Sequence, residues 1–164
     1  RTGVRTPMQW SEGSTAGFSS AGKEKLYLPV DHRKNRPTIS KQQKMPGSLL
    51  NEVKKLIELR KKYPALNADG DFLTVHSRNG GYPFVYSRQK NNQRLIIIIN
   101  PANERKEAKL EIPDLDKITL KLIMASKCKL STVKKTMWIS IGPISYSIYK
   151  VNLMEKHKRN NNEI

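Results

Sequence analysis

The stretch RTPMQW, at residues 5–10, gathers side chains that can take part in binding. The guanidinium of Arg5 offers several planar hydrogen-bond donors and stays charged. The acids that follow are Glu12, Glu24 and Asp31, but no spacing brackets two of them as a catalytic pair. We therefore interpret them as solvated loop acids, and we predict no catalytic residue within these 164 residues.

Metal and redox chemistry are not indicated by the sequence. His32, His76 and His157 lie far apart, and no cysteine and histidine residues share the spacing of a zinc site. Cys128 is the single cysteine, so no intrachain disulfide is expected and we interpret it as a bystander thiol in a reducing compartment. The sequence thus predicts no metal, no cofactor and a cytoplasmic location.

The formal net charge of +17 is high for a chain of 164 residues. A field of this size attracts polyanions whatever the fold. The basic residues are spread along the chain and are not interleaved with stacking aromatics, which favours a lysine-rich surface over a specific nucleic-acid site. No apolar run approaches the roughly 18 residues that cross a membrane. We expect neither specific nucleic acid nor a membrane as partner.

One helix stands out after a long stretch with little periodicity. Residues 1–47 are rich in Gly, Ser and Pro, and a loop of that length usually has a function or covers another part of the protein. In the helix predicted at 48–63, Leu49, Val53 and Leu56 recur at three- and four-residue steps. Such a stripe must pack against an apolar surface.

From residue 71 the apolar period changes to two, which predicts strands. The run LIIII at 95–99 has no polar face and indicates a strand covered on both sides. Seven short strands separated by turn residues favour an antiparallel sandwich. The predicted strands are 72–77, 82–88, 94–99, 106–112, 119–124, 137–141 and 144–151.

Several stretches occur in the order and spacing of one known family. They are RTPMQW at 5–10, AGF at 16–18, LYLPV at 26–30, the segments QQ at 42–43, SLLN at 48–51 and LIELRK at 56–61, and YPAL at 63–66. Together they resemble the α-amylase superfamily, glycoside hydrolase family thirteen. They are most similar to the branch that holds oligo-1,6-glucosidase, α-glucosidase and trehalose synthase. The resemblance is specific over residues 1–70 and architectural over 71–151.

The resemblance implies a fold and a division into domains. Enzymes of this family have a (β/α)₈ barrel whose active site lies on the loops after the strands. RTPMQW would lie after the eighth strand, close to the sugar site, and 48–63 would be the eighth barrel helix. The expected fold is mostly β, an antiparallel β-sandwich preceded by the last loop and helix of the barrel. The expected domains are 1–66, the end of the barrel, 67–151, the sandwich, and 152–164, a polar tail.

The resemblance also places the chemistry outside this segment. Retaining glycosidases need two carboxyl groups about 5 Å apart, and in this family the motifs that carry them precede the stretch seen here. A whole barrel takes about 250 residues. We therefore expect the C-terminal portion of an α-glucoside-acting glycosidase or glucosyl isomerase, inactive by itself. Its partners would be the missing barrel portion and, in the intact enzyme, an α-glucosidic oligosaccharide.

Arg5 is the substrate-binding residue that the resemblance implies. Its position matches an arginine that holds the non-reducing-end glucose, and a planar set of donors suits adjacent hydroxyls. The alternative is a scaffold salt bridge. Arg1 is a weaker second candidate, since the matching arginine more plausibly forms a structural ion pair.

Aromatic residues offer sugar-stacking alternatives, but packing is favoured for each of them. Trp10 and Phe18 are expected to anchor the loop, and Trp138, in the alternating segment MWISI, is expected to be buried in the sandwich. Gln9 is expected to hydrogen-bond to backbone within the loop.

The chain also departs from the family pattern. Ser11 stands where the branch usually has aspartate, as is common in trehalose synthases. Met45 replaces the aspartate that often precedes Pro46, which we place in the first turn of the helix. That replacement would cost about 1 kcal/mol of helix capping.

Two other functions remain open at this point. In one, the sandwich itself binds glucan as a non-catalytic carbohydrate-binding module, with Trp138 as its platform. A basic nucleic-acid-binding protein is supported by the net charge alone.

Overall fold

Two units are distinguished in the computed structural model, which describes residues 5–78, 81–125 and 127–154. They are Arg1–Arg60 and Lys61–Ile164. The first is built from loop and helix, and the second is built from strands.

Eight antiparallel strands lie in the described part of the second unit. They form a five-stranded sheet in the order β1-β2-β3-β8-β5 and a three-stranded sheet in the order β4-β7-β6. The antiparallel arrangement predicted from the period-two pattern is confirmed. The strands are β1 (Asp71–Arg78), β2 (Gly81–Lys90), β3 (Gln93–Asn100), β4 (Lys106–Glu111), β5 (Ile118–Ala125), β6 (Cys128–Val133), β7 (Thr136–Ile141) and β8 (Ser145–Leu153).

One apolar core joins the two sheets and makes the unit a sandwich. The five-stranded sheet contributes Ile96 and Ile98, and the three-stranded sheet contributes Met137, Ile139 and Ile141. All five side chains are at most 2% exposed. Burial of this kind is worth about 25 cal/mol per Å² of apolar surface, so the contact between the sheets is the main source of stability in this unit.

The central strand β3 is covered on both faces, as its unbroken apolar run predicts. Leu95 and Ile97 alternate with the core residues of the same strand and are 0% and 4% exposed. Within the second unit, the 3-10 turn at Pro64–Leu66 contacts β2 and β3. Arg88 fixes this turn, because its Nε donates to the carbonyl of Ala65 (3.2 Å) and its Nη2 to that of Asn67 (2.5 Å).

Strand β6 was missed by the period-two search, and β8 is longer than predicted. In β6 the inward side chains are Cys128 and Leu130, which pack against the core, whereas lysine and hydroxyl residues surround them in sequence. Strand β6 has too few inward apolar residues for the alternating pattern alone to predict a strand. Asn152 and Leu153 end β8, and residues 155–164 of the predicted tail lie outside the described residues.

A buried amide ties the end of β3 to two turns of the sandwich. Asn100 is 0% exposed, and its Nδ2 donates to the carbonyls of Glu104 and Gly142, both at 2.8 Å. Its Oδ1 accepts from the backbone N–H of Ala102 at 3.1 Å. A buried backbone group that loses its partner pays its full desolvation cost, so this side chain holds the turns that flank β3, β4 and β8.

Replacing Asn100 with alanine should lower the free energy of unfolding by about 2–3 kcal/mol, because buried carbonyl and N–H groups lose their partners. Urea denaturation monitored by circular dichroism measures the loss. Asn103→Ala is the matched control, since Asn103 is an exposed amide in the same turn, and it should change stability by less than about 0.5 kcal/mol. Equal effects of the two substitutions would contradict this role for Asn100.

The described part of the first unit contains two helices, α1 (Ile39–Lys44) and α2 (Leu49–Lys62). Helix α1 lies in a stretch that the sequence predicted as loop, and Thr38 Oγ1 caps it by accepting from the N–H of Lys41 at 3.3 Å. No helix in this part of the chain is long and apolar enough to cross a membrane.

The start of α2 corrects the prediction of a missing cap. The helix begins at Leu49 rather than near Pro46, and Ser48 serves as its N-cap. Ser48 Oγ accepts from the N–H of Asn51 at 3.3 Å and donates to the carbonyl of Gln42 at 2.6 Å. The capping loss predicted for Met45 therefore does not arise, because serine is itself a preferred N-cap residue.

The predicted apolar stripe of α2 faces solvent in this structure. Leu49 is 75% exposed, Val53 43%, Leu56 39% and Ile57 49%. No residue of the helix is buried. Since most helices gain their stability from packing an apolar face, this stripe is an unpartnered surface.

Candidate functional site

A tight turn shapes the loop that carries RTPMQW. The N–H groups of Trp10 and Ser11 both donate to the carbonyl of Ala16, at 2.8 and 3.0 Å. Gly17 has a φ of 66°, and a Cβ there would lie 2.6 Å from Ser11 Oγ. Glycine is therefore required at this position, which explains the AGF motif in physical terms.

The same segment is joined to helix α1 through its backbone. The N–H of Ile39 donates to the carbonyl of Gln9 at 2.9 Å, and the N–H of Ser40 donates to that of Trp10 at 3.0 Å. These donors belong to the first turn of α1, where N–H groups lack partners within the helix. The loop thus supplies partners for the helix and is held in place by it.

Arg36 fastens the two ends of the loop together. Its Nη2 donates to the carbonyls of Glu12 (2.9 Å) and Gly13 (2.7 Å), and its Nη1 donates to that of Asp31 (2.9 Å). The planar guanidinium suits such a set of acceptors. Sequence reasoning missed this residue, because its acceptors are backbone groups that leave no pattern in the side chains.

The loop carboxylates are paired with cations in the structure. A hydrogen bond from Lys41 lowers the pKa of Glu12. Hydrogen bonds from the side chain and the backbone N–H of Arg33 lower the pKa of Asp31 to about 2. A general acid needs a raised pKa, so neither group is suited to protonate a leaving group, in agreement with their interpretation as loop acids. Glu24 is exposed.

Arg5 is exposed, and Pro7, two residues on, is buried. A depression of about 250 Å³ follows, with Gln9 and Gln42 among the residues that line it. Gln9 Oε1 is buried with no hydrogen-bond partner among the described residues. The Gln9 backbone carbonyl, by contrast, accepts from the N–H of Ile39. Arg1 lies outside the described residues.

The three aromatic residues predicted to be packed are half exposed. Trp10 is 50% exposed, Phe18 52% and Trp138 48%. For Trp138 the prediction of burial is wrong, and the reason is the alternation of β7: Met137 and Ile139 point into the core, which turns Trp138 outward. Met137, Ile139 and Ile141 form the larger apolar set of alternate residues in MWISI, and this pattern predicts that they face the core while Trp138 faces outward.

The acids, histidines and the cysteine of the described residues lie apart from one another or have polar partners. Among residues 5–78, 81–125 and 127–154, no cluster of three or more His, Cys, Asp or Glu side chains is placed to hold a metal ion. Cys128 is half-buried, and its Sγ accepts from Ser147 Oγ at 3.2 Å.

Arg36→Met should open the loop around RTPMQW, since three backbone carbonyls lose a charged donor. Hydrogen exchange at the amides of Trp10, Ser11 and Ile39 should accelerate by about tenfold, while the strands keep their protection. Arg33→Met is the matched control, because the Arg33 side chain donates to Asp31, two residues away in the sequence. Unchanged exchange in the Arg36 variant would contradict this role.

Comparison with known proteins identifies the segment just described. Residues 1–69 match the family model described as alpha amylase, catalytic domain. An oligo-1,6-glucosidase of Parageobacillus thermoglucosidasius is 26% identical over 153 residues, 93% of this chain and 26% of that protein. The trehalose synthase/amylase TreS of Mycobacterium tuberculosis is 36% identical over 83 residues, 48% of this chain and 14% of that protein.

A solved structure supports the same relation over almost the whole chain. The isomaltulose synthase of Erwinia rhapontici NX5 is 25% identical with a TM-score of 0.72, covering 90% of this chain and 25% of that one. Residues 1–69 are thus similar to the catalytic domain of the alpha-amylase family, and the fold of 90% of the chain is similar to part of the isomaltulose synthase. The chain spans about a quarter of the length of the oligo-1,6-glucosidase and of the isomaltulose synthase, and the match to TreS covers 14% of that protein.

Proposed function

We propose that this chain is the C-terminal portion of an enzyme that cleaves or rearranges α-glucosidic bonds, and that the 164 residues alone do not catalyse the reaction. The observation that carries the proposal is the ordered match of residues 1–69 to the catalytic domain of the family. The relatives named above are an oligo-1,6-glucosidase and a trehalose synthase/amylase. An α-glucosidic oligosaccharide is the proposed substrate of the intact enzyme, and a cytoplasmic location is part of the proposal.

The loop carboxylates support a positioning role for this segment and a catalytic pair elsewhere in the intact enzyme. Retaining glycosidases need a nucleophile and an acid about 5 Å apart. Glu12 is held by Lys41 of α1 and Asp31 by Arg33 of the loop, and the pKa of each carboxylate is lowered. Residues 5–48 are therefore better suited to positioning than to proton transfer, and the catalytic pair is proposed to lie on the remainder of the barrel.

The remainder of the barrel is also the proposed partner of α2. The exposed stripe of Leu49, Val53, Leu56 and Ile57 lies on one side of the helix. In a (β/α)₈ barrel each helix packs its apolar side against the strands. A stripe of this composition fits the eighth barrel helix, whose neighbours in the barrel would cover it.

Arg5 is proposed to hold a sugar in the intact enzyme. Its exposure next to a loop fixed by Arg36 and α1 places a permanently charged, planar donor at the surface. Such a group can donate to two neighbouring hydroxyls at once. The alternative, a salt bridge with the rest of the barrel, would give Arg5 a structural role.

The chain alone should release no glucose from maltose, isomaltose or trehalose. Each disaccharide is incubated with the purified chain, and glucose is measured by a coupled assay against a heat-denatured sample. An intact oligo-1,6-glucosidase serves as the positive control. Turnover above the denatured sample would show that the chain carries a catalytic pair and would contradict the proposal.

The DNA that precedes the codon of Arg1 tests the proposal independently. A continuous reading frame that encodes barrel strands with the carboxylate motifs would support it, and an unrelated frame would contradict it. In the enzyme expressed from such a frame, Arg5→Met should raise KM by about tenfold or more, because hydrogen bonds from a charged donor to the sugar are lost. Arg5→Lys, which keeps the charge, should recover part of the loss, whereas an unchanged KM with lowered Tm would assign Arg5 to the scaffold.

A further inference from the structure

We propose that the outer face of the three-stranded sheet is a second binding surface, on which a neutral glucosyl oligosaccharide stacks against Trp138. We call this surface the Trp138 face. The choice of glucose as the sugar rests on the proposed function, whereas the surface itself is defined by the geometry of β4, β6 and β7.

Strand register places Trp138 at the centre of this face. Trp138 pairs with Lys109 of β4 on one side and with Ser131 of β6 on the other. Because side chains alternate along a strand, every second residue of the three strands joins the same face. Its outer rows are Glu107, Ser140 and Lys129, and Glu111, Thr136 and Val133.

The exposed indole is the apolar part of the site. Trp138 is 48% exposed, while its neighbours Met137 and Ile139 are at most 2% exposed. The exposed part of the indole is apolar surface that a ligand can cover. The C–H face of a pyranose ring is flat and apolar, and an indole presents a flat apolar surface together with a polar N–H.

Hydrogen-bonding groups surround the indole on the same face. Thr136 Oγ1 donates to Glu111 Oε1 at 2.7 Å, and Ser140 Oγ donates to Glu107 Oε1 at 3.2 Å. The carboxylates retain free acceptor capacity. Lysines and a serine supply donors, so the hydroxyls of a sugar find both kinds of partner.

The size of the depression agrees with such a ligand. It measures about 500 Å³ and is lined by Glu107, Lys109, Lys129, Ser131 and Trp138 among others. Binding sites for small molecules commonly measure about 300–1,000 Å³.

The charge on this face favours a neutral ligand over a polyanion. The chain as a whole carries +17, whereas on this face the carboxylates of Glu107 and Glu111 lie among the cations Lys109 and Lys129, and Arg105 Nη1 donates to Ser140 Oγ at 3.1 Å. A polyanion would meet carboxylates as well as cations beside the aromatic ring, whereas the hydroxyls of a neutral sugar can bond to both kinds of group. Lys109 Nζ lies over the indole, 5.0 Å from the ring centroid, and its flexible stem allows the ammonium to move aside and donate to a hydroxyl.

Tryptophan emission tests the proposal directly, since the chain has two tryptophans. In a Trp10→Phe background, Trp138 is the sole reporter, and titration with maltoheptaose should give a saturable change with a Kd in the millimolar range or below. Retardation of the full chain in a native gel that contains soluble starch gives a second readout. Trp138→Ala should weaken the affinity by about tenfold or more.

Tyr27→Ala is the matched control, because Tyr27 is an aromatic residue that is 86% exposed on the other unit. It should leave starch retardation unchanged, and circular dichroism should show every variant to be folded. Retardation lost equally in both variants would overturn the proposal.

Three further results would overturn it: no saturable emission change with maltoheptaose, Trp138-dependent binding of a DNA oligonucleotide in place of the sugar, or self-association that Trp138→Ala abolishes in sedimentation. The test also separates the two proposals. Binding is measured without turnover, so the two proposals can fail separately. If an intact enzyme cleaves glucosides while this chain fails to bind maltoheptaose, the Trp138 face is contradicted as a binding surface and the proposed function is supported. Binding by a chain whose upstream frame encodes no glycosidase would do the reverse.

Discussion

The apolar contact between the two sheets is the constraint on which the second unit depends. Met137, Ile139 and Ile141 are buried against Ile96 and Ile98, and a slip of one residue in β7 would turn all three toward water. The same constraint determines the opposite face of the strand. Once the three apolar residues point inward, Trp138 and Ser140 must point outward, so the exposed indole is a consequence of core packing.

The first unit is held together by different forces. Few of its apolar side chains are fully buried, Ala16 and Val30 being examples, and its loop is fixed by backbone hydrogen bonds, by Arg36 and by the start of α1. Hydrogen bonds of this kind contribute little net free energy when water can replace them. The exposed stripe of α2 adds little to the stability of such a unit, because an apolar face stabilises a helix mainly when it is packed.

The sequence was most informative where apolar residues recur at a regular spacing or form an unbroken run. The run at 95–99 predicted a strand covered on both sides, and the spacing of Leu49, Val53 and Leu56 predicted helix α2. It was less informative where the contacts are made by backbone groups or short polar side chains. The cap at Ser48 and the clamp at Arg36 leave no periodic trace. Trp138 was misplaced because its position in an alternating segment does not by itself show which set of alternate residues faces inward, and Met137, Ile139 and Ile141 occupy the core.

The carboxylates and the arginines of the first unit differ in the partners that they contact. Arg33 and Lys41 each hold a carboxylate in its ionised form, and Arg36 is occupied by backbone carbonyls. Arg5, by contrast, is exposed beside a rigid turn. An exposed guanidinium offers planar donors that a ligand or a neighbouring group can accept. The first unit thus combines carboxylates held by cations, one arginine bound to backbone carbonyls and one arginine exposed at the surface.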